Sequence, residues 1–178
     1  SKGNPLFPQQ KKLKTYKPLL VEVIDSVEKE IASGKYKRVF YNIEIKSEKK
    51  QYGIGQPQPE EFVDLIMKVI QQNRIESFIN IQSFDPHILN VLHTKYPKVK
   101  IALLTAKAGI DKNLKELIFT PQIYSPNYKL VNAAFLDTLR AKHIKVIPWT
   151  VNNKKDIKKM LDLKVDGIIT DYPERVIN

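Results

Sequence analysis

The sequence predicts an α/β fold built around a parallel β-sheet. Strand-like and helix-like segments alternate from residue 38 to the end of the chain, which is the rhythm of βαβ units. Segments 101–104 and 167–169 are almost entirely apolar, as expected for strands covered on both faces of a sheet. A length of 178 residues, with 42% hydrophobic and 28% charged residues, is typical of one globular domain with a sizeable core. We therefore treat residues 1–178 as a single domain.

Helical spacing of apolar residues predicts the helices. The first begins near Pro18, which suits a first turn, and ends near Gly34. The third begins at Asp85-Pro86, where the aspartate is a suitable N-cap, and ends near Tyr96-Pro97. The predicted helical ranges are 18–33, 62–70, 86–95, 114–118, 130–141 and 154–163.

Six segments are predicted to be strands, and they are 38–46, 77–84, 101–105, 122–125, 146–152 and 167–170. Residues 47–58 are polar and rich in glycine and proline, so we expect a loop there. Residues 1–15 are also polar and contain proline, which favours a loop over a strand. A closed (β/α)₈ barrel needs eight strands and about 250 residues, so the chain is about two βα units short of one.

The first predicted strand carries the most informative pattern. Asn42, Glu44 and Lys46 alternate with apolar residues, so the three polar side chains share one side of the strand. Burying an amide, a carboxylate and an ammonium without partners is costly. One interpretation is a site that binds a metal ion and an anion together. The other is an ordinary half-buried strand whose polar side faces water.

Composition excludes several classes of function. The chain has no cysteine, which rules out disulfides, thiolate metal sites and cysteine nucleophiles. No apolar run approaches the roughly 18 residues that cross a bilayer, so we expect no stable membrane insertion. The net charge of +11 favours anionic partners, but it comes mostly from dispersed lysines in predicted loops and outer helix faces. No nucleic-acid motif accompanies it, so we expect no nucleic-acid partner.

Four short motifs occur in the order seen in glycerophosphodiester phosphodiesterases, and the chain resembles that family over nearly its whole length. They are Tyr41-Asn42-Ile43-Glu44-Ile45-Lys46, Gln82-Ser83-Phe84-Asp85, Pro148-Trp149-Thr150-Val151-Asn152 and Asp166-Gly167-Ile168-Ile169-Thr170-Asp171-Tyr172-Pro173. The segment Asn4-Pro5-Leu6-Phe7-Pro8 also resembles the stretch before the third barrel strand of bacterial members. Each motif is weak alone, but the ordered set is specific.

The resemblance implies a TIM barrel whose site lies at the C-terminal ends of the strands. It implies that Glu44 is a ligand of a divalent metal, calcium or magnesium, and that Lys46 contacts the phosphate as a catalytic residue. It places Trp149 near the glycerol end of the substrate, with Gln82 and Phe84 at the mouth of the fourth strand. Core packing is the alternative for Trp149. Asp171 either faces the site or begins the turn to Pro173.

The departures from the family pattern concern the start of the barrel. Family members carry a His-Arg-Gly motif on the first strand, a Glu-x-Asp pair on the second and a His-Asp pair soon after, and the printed sequence has none of these. Its histidines, His87, His93 and His143, fall in or beside predicted helices, and we interpret His87 as a surface residue of its helix. The chain therefore resembles barrel strands three to eight, with the first two βα units absent. A missing N-terminal segment or a partner chain would complete the barrel.

The predicted function is metal-dependent hydrolysis of small-molecule glycerophosphodiesters to glycerol 3-phosphate and an alcohol. In the family, a neighbouring glycerol hydroxyl is thought to attack the phosphorus, and water then opens the cyclic phosphate. Because the catalytic histidines are absent, we expect the chain alone to be inactive. The alternatives are a non-catalytic phosphate- or sugar-phosphate-binding module and a related barrel phospholipase. The resemblance is compatible with a periplasmic or extracellular location.

Overall fold

The computed structural model describes residues 14–177. The chain divides into two compact units, one ending at Arg38 and the other beginning at Val39. The expectation of a loop over residues 1–15, and the motif at residues 4–8, fall wholly or largely outside the described residues.

In the first unit, the chain forms helix α1, Leu20–Ala32, within the predicted range. The Glu22 carboxylate in its first turn accepts a hydrogen bond from the backbone N–H of Leu19 at 2.7 Å. This contact satisfies one of the backbone donors that a helix N-terminus leaves unpaired. Glu28 of α1 forms an ion pair with Arg38 at the end of the unit.

The second unit is a five-stranded parallel sheet in the order β1-β2-β3-β4-β5, with helices between the strands. This arrangement confirms the predicted α/β fold with a parallel sheet. The strands are β1 Tyr41–Glu44, β2 Ile79–Ser83, β3 Ile101–Thr105, β4 Ile123–Pro126 and β5 Lys145–Val146. The helices are α2 Pro59–Gln72, α3 Pro86–Lys95, α4 Ile110–Leu114, α5 Ala133–Ala141, α6 Lys154–Asp162 and α7 Glu174–Ile177.

The register of the strands determines which side chains share a face. Glu44 pairs with Gln82, and Gln82 pairs with Ala102. Partners in a parallel ladder project to the same side, so these three residues lie on one face, which we call the inner face. Asn42 lies two positions before Glu44 on the same face, beside its partner Asn80, whose side-chain amide donates a hydrogen bond to the Asn42 side chain.

The opposite face of the sheet carries the core. Ile81 of β2 and Ile101 of β3 are fully buried, and α3 packs on both strands through side chains that are also fully buried, Ile88, Leu89 and Leu92. Further along the sheet, the ring of Tyr124 meets the ring of Phe135 of α5 edge to face, with 5.9 Å between centroids. These contacts hold α3 and α5 against one face of the sheet.

The last two predicted strands are only partly regular. Strand β5 spans Lys145–Val146 and so includes only the first residue of the predicted strand 146–152, and segment 167–170 forms no regular strand. That segment still runs beside residues 146–151, because Ile169 donates to the Pro148 carbonyl at 2.9 Å and accepts from the Val151 N–H at 2.9 Å. Pro148 has no N–H to donate, so the hydrogen-bond ladder between the two segments is interrupted there.

The predicted helix at 114–118 was misplaced. Helix α4 instead spans Ile110–Leu114 and follows Gly109, whose φ of +94° is open to glycine at little cost. Its position is set by Asn113, which is buried and whose side-chain amide donates to the Lys107 carbonyl at 2.8 Å and to the Tyr124 hydroxyl at 2.7 Å. Helix α7 was not predicted.

The packing of α3 on β2 and β3 leads to a stability prediction. Replacing the fully buried Ile81 with alanine should lower the free energy of unfolding by about 2–5 kcal/mol, because the cavity left behind cannot close completely. The matched control is Ile118→Ala, since Ile118 is 70% exposed and should change the value by less than about 0.5 kcal/mol. Urea unfolding followed by circular dichroism measures both variants. Equal effects would contradict the assignment of β2 to the core.

Candidate functional site

Glu44 and Lys46 lie at the C-terminal edge of the sheet, where parallel α/β folds place their ligand sites. Glu44 is the last residue of β1, and Lys46 follows it after the buried Ile45. The two exposed side chains line a concavity of about 510 Å³. The other residues around it are Ile45, Ser47, Glu48, Gln51, Gln56 and Phe84.

The side chains of Glu44 and Lys46 have no partner in the described part of the chain. Among residues 14–177, no ion pair or side-chain hydrogen bond involves Glu44 or Lys46. They lie two positions apart on one side of the strand and form no salt bridge with each other. The carboxylate and the ammonium are therefore both available to a ligand that enters the concavity.

Gln82 lies next to Glu44 across the β1–β2 ladder and is only 7% exposed. Its side-chain oxygen Oε1 is buried and has no hydrogen-bond partner, which is the one such case among the described residues. Buried polar atoms in folded proteins nearly always have a partner, so an unpaired one calls for an explanation. A donor or a cation from a bound ligand would supply the missing interaction.

Phe84 and Trp149 form an aromatic pair at the same edge. Their rings are nearly perpendicular, at 83°, with centroids 5.2 Å apart. The indole N–H of Trp149 donates to the Ser125 carbonyl at 2.8 Å, which fixes the half-buried ring against the end of β4. Phe84 is 47% exposed and lies between the first concavity and a second one of about 200 Å³ at the end of β3. The pair therefore offers an apolar surface beside Glu44 and Lys46.

Asp85 joins the ends of β1 and β2 through a group of polar contacts. Its side chain caps α3 by accepting from the His87 N–H at 3.0 Å, as the sequence predicted. The same carboxylate also accepts hydrogen bonds from the hydroxyls of Ser47, at 2.6 Å, and Tyr52. Gln56 completes the group by donating to the Ser47 hydroxyl at 3.1 Å. We call these four residues, Ser47, Tyr52, Gln56 and Asp85, the loop clasp.

The loop clasp was not found by sequence reasoning. Ser47, Tyr52 and Gln56 lie in a segment predicted only to be a polar loop. Nothing in the local pattern of that segment pairs it with Asp85, which is 38 positions from Ser47 and 33 from Tyr52. Tyr52 is the most informative member. Partial burial, together with the hydrogen bond to the Asp85 carboxylate, raises the pKa of Tyr52 to about 12. Its hydroxyl therefore stays protonated and donates throughout the neutral range.

The remaining candidates lie outside the concavity. His87 is exposed in the first turn of α3, with its ring 5.9 Å from that of Tyr52, so the predicted location is confirmed. The ring of His93 stacks on Phe119 at 4.0 Å. The Asn152 side-chain NH₂ donates to the Asp171 carboxylate at 2.8 Å, and the Asn152 side-chain oxygen accepts from the Asp171 N–H at 2.9 Å. This pairing closes the turn after segment 167–170.

The five predicted site residues gather at one edge of the sheet. Glu44, Lys46 and Phe84 line the concavity, Trp149 contacts Phe84, and Gln82 is beside Glu44 in the ladder. The oxygen atoms of Glu44 and Gln82 are of the type that hard cations prefer, but calcium takes six to eight ligands. Within residues 14–177, no three histidine, cysteine, aspartate or glutamate side chains come together as a metal site. The donor chemistry fits a hard cation, and the number of donors falls short.

No helix in the described part of the chain is both long enough and apolar enough to span a bilayer.

The loop clasp leads to a pH-dependent prediction. Tyr52→Phe removes the hydroxyl that Asp85 accepts, so at pH 7 the variant should unfold with a free energy about 1 kcal/mol lower than that of the unchanged chain. The folded-state pKa is raised, so the contribution of Tyr52 is complete below pH 10 and declines as the pH rises from about 10 through about 12.

Urea unfolding of both proteins at pH 7 and above pH 10 measures the difference, which should shrink at the higher pH. Tyr128→Phe is the control, because Tyr128 lies in a different turn and its hydroxyl has no side-chain contact with Asp85. A difference that stays constant with pH would contradict the role of the hydroxyl.

One family model matches nearly the whole chain. The model of the glycerophosphoryl diester phosphodiesterase family matches residues 4–175. A glycerophosphodiester phosphodiesterase of Bacillus altitudinis is 31% identical over 163 residues, which are 90% of this chain and 61% of that protein. The chain thus spans about six tenths of the length of this relative.

Two solved structures share the fold. A glycerophosphodiester phosphodiesterase from Parabacteroides distasonis superimposes with a TM-score of 0.71 at 21% identity, over 90% of this chain and 62% of that one. An Oleispira antarctica phosphodiesterase, solved in complex with the product sn-glycerol-3-phosphate, gives a TM-score of 0.72 at 16% identity, over 90% and 60% of the two chains. With a family match over nearly all of its length and this fold, the chain belongs to the glycerophosphoryl diester phosphodiesterase family.

Proposed function

We propose that this chain carries the phosphate- and glycerol-binding part of an enzyme that hydrolyses glycerophosphodiesters to glycerol 3-phosphate and an alcohol. The observation that carries the proposal is the unpaired Glu44 and Lys46 beside the Phe84–Trp149 pair, at the C-terminal edge of the sheet. Membership of the family supports the reaction class. The product bound by the Oleispira antarctica phosphodiesterase supports the choice of glycerol 3-phosphate.

Each side chain has a role that follows from its chemistry. The Lys46 ammonium is a compact positive charge, suited to the phosphate oxygens and to the charge that develops on them in the transition state. Phe84 and Trp149 present ring surface to the carbon skeleton of glycerol. Gln82 offers its unpaired oxygen to a hydroxyl donor or to a cation held by Glu44.

The family resemblance implies a two-step reaction. A glycerol hydroxyl attacks the phosphorus and loses its proton, while the alcohol leaves with a proton and a cyclic phosphate forms. Water then opens the ring to give glycerol phosphate. Both steps require a group that takes and returns a proton, and among residues 14–177 no histidine lines the concavity. We therefore propose that proton transfer depends on residues outside the described part of the chain.

A divalent cation, calcium or magnesium, is part of the proposal. When bound, it would neutralise charge on the phosphate. Glu44 would hold it, with Gln82 as a second oxygen donor, and further donors would come from elsewhere. This requirement matches the proposed state of the barrel, in which the chain supplies strands three to eight. The remaining two βα units would be contributed by a further N-terminal segment or by a partner chain, which would pair with the free edge of β1.

The activity test uses the complete protein that contains this chain. Glu44→Gln and Lys46→Gln should each lower kcat/KM for glycerophosphodiesters by about 10²- to 10³-fold, because each removes a charge that acts on the phosphate or its cation. Release of glycerol 3-phosphate, measured in a coupled assay with and without added calcium or magnesium, gives the rates. The calcium or magnesium concentration that gives half of the maximal rate should be higher for Glu44→Gln than for the unchanged protein, and it should be unchanged for Lys46→Gln.

Glu61→Gln is the matched control for the loss of a carboxylate, since Glu61 is exposed on α2 and takes no part in the concavity. It should leave the rate unchanged. Turnover of Glu44→Gln at the level of the unchanged protein, with the fold retained, would sink the assignment.

A second function, a non-catalytic phosphate-binding module, is favoured by one observation. Among residues 14–177, no cluster of three metal-ligating side chains is present. Titration calorimetry of the chain with sn-glycerol 3-phosphate, with and without calcium, separates the two functions. The enzyme proposal expects binding that strengthens with calcium and turnover in the complete protein. Binding of equal affinity with and without calcium, with no turnover of glycerophosphodiesters in the complete protein, would favour the module.

A further inference from the structure

Ile54 is exposed to an unusual degree for its position. It is 85% exposed, the highest value of the large apolar side chains in the described part of the chain. It lies at the tip of the connection between β1 and α2, which begins at the C-terminal edge of the sheet. Single exposed apolar residues are common on protein surfaces, so exposure alone does not mark a contact.

The tip of this loop is ordered. The Ile54 N–H donates to the Gln51 carbonyl at 3.0 Å, and the Gly53 N–H donates to the Gln56 carbonyl at 2.9 Å. Gly53 has a φ of +68°, a backbone conformation that glycine adopts at little cost, so glycine suits this turn. The loop clasp ties the base of the loop to Asp85. The isoleucine is therefore held outward on a fixed support.

Lysines outnumber carboxylates in the connections at this edge of the sheet. The connections that run from the ends of β1–β5 to the next helices contain five lysines and two carboxylates, namely Lys46, Lys49, Lys50, Lys107 and Lys129 against Glu48 and Asp85. All five lysines are exposed, and none of them forms an ion pair among the described residues. Asp85 is occupied by the loop clasp. The helices that follow begin with charges of both signs, including Glu60, Glu61, Lys154 and Lys155.

We propose that residues 46–56 form a docking surface for an anionic lipid bilayer, in which Ile54 enters the interface and Lys49 and Lys50 contact the headgroups. An apolar side chain flanked by lysines combines the two terms that hold peripheral proteins on anionic membranes, apolar burial and electrostatic attraction. The concavity with Glu44 and Lys46 begins at the same loop, so docking places the mouth of the candidate site at the lipid surface. The docking itself does not depend on the proposed reaction.

The test is binding of the full chain to vesicles, measured by co-sedimentation without substrate. Vesicles of phosphatidylcholine with about 30 mol% phosphatidylglycerol should bind the chain at low salt, and pure phosphatidylcholine vesicles should bind it weakly. Ile54→Ser should weaken binding to the anionic vesicles about tenfold, because it removes the apolar side chain that the proposal places in the membrane interface. Lys49→Gln and Lys50→Gln should each weaken it about fivefold.

Matched controls come from the opposite end of the sheet. Ile118→Ser removes an isoleucine that is 70% exposed on the segment leading into β4. The double variant Lys98→Gln/Lys100→Gln removes two exposed lysines that precede β3. Both should bind anionic vesicles within about twofold of the unchanged chain, although the second loses two positive charges and each loop variant, Lys49→Gln or Lys50→Gln, loses only one.

Each outcome decides the proposal. Equal losses in the loop variants and the controls would show attraction by total charge only and would overturn the docking surface. So would the absence of binding to anionic vesicles, or an Ile54→Ser variant that binds as well as the unchanged chain. Glu44→Gln should bind vesicles normally even if it abolishes turnover in the complete protein. A failure of docking is thus distinguishable from a failure of the proposed reaction.

Discussion

The register of β1 against β2 is the constraint on which the candidate site depends. A shift by one residue would turn Glu44 and Lys46 to the helix-covered face and put Ile45 on the face that they now occupy. Three contacts beyond the regular ladder hold the register at the end of the strands. The Ile45 N–H donates to the Gln82 carbonyl at 2.8 Å, the Ser83 hydroxyl donates to the Ile45 carbonyl at 2.7 Å, and the Ser47 hydroxyl donates to Asp85 at 2.6 Å.

The same contacts fix the backbone that carries the exposed side chains of Glu44 and Lys46. Glu44 and Lys46 have no partners of their own in the described chain, so their backbone must be fixed by neighbours. Ile45 and Ser47, on the other side of the strand, are buried and provide that support. The alternation of a strand thus separates the two tasks, since one set of side chains anchors the segment and the other remains free for a ligand.

The sequence was sufficient for the parts of the fold that depend on local pattern. The strand at 101–105 is apolar except for Thr105, and its predicted bounds are the observed ones. Asp85 is recognisable as a cap from the sequence because capping is a local contact. The misplaced helix near residue 114 shows the limit. Its position depends on the buried side chain of Asn113, which bonds to Tyr124, and no local rule of spacing contains that contact. The interrupted ladder at Pro148 follows from the proline, but only once its neighbour in the sheet is known.

In the candidate site, too, some residues can be recognised from the sequence and others cannot. Glu44 and Lys46 stand out in the sequence because they break an apolar strand, whereas Tyr52 and Gln56 lie in a polar loop in which no single residue is unusual. Glu44 and Lys46 are close neighbours on the strand but form no salt bridge with each other. Neither ion therefore satisfies the other, and each keeps its hydration until a ligand displaces it. Removing water from Glu44 or from Lys46 costs free energy unless an opposite charge replaces that water. An anion at Lys46 and a cation at Glu44 would compensate both costs, so binding of the two ions together is favoured over binding of one of them.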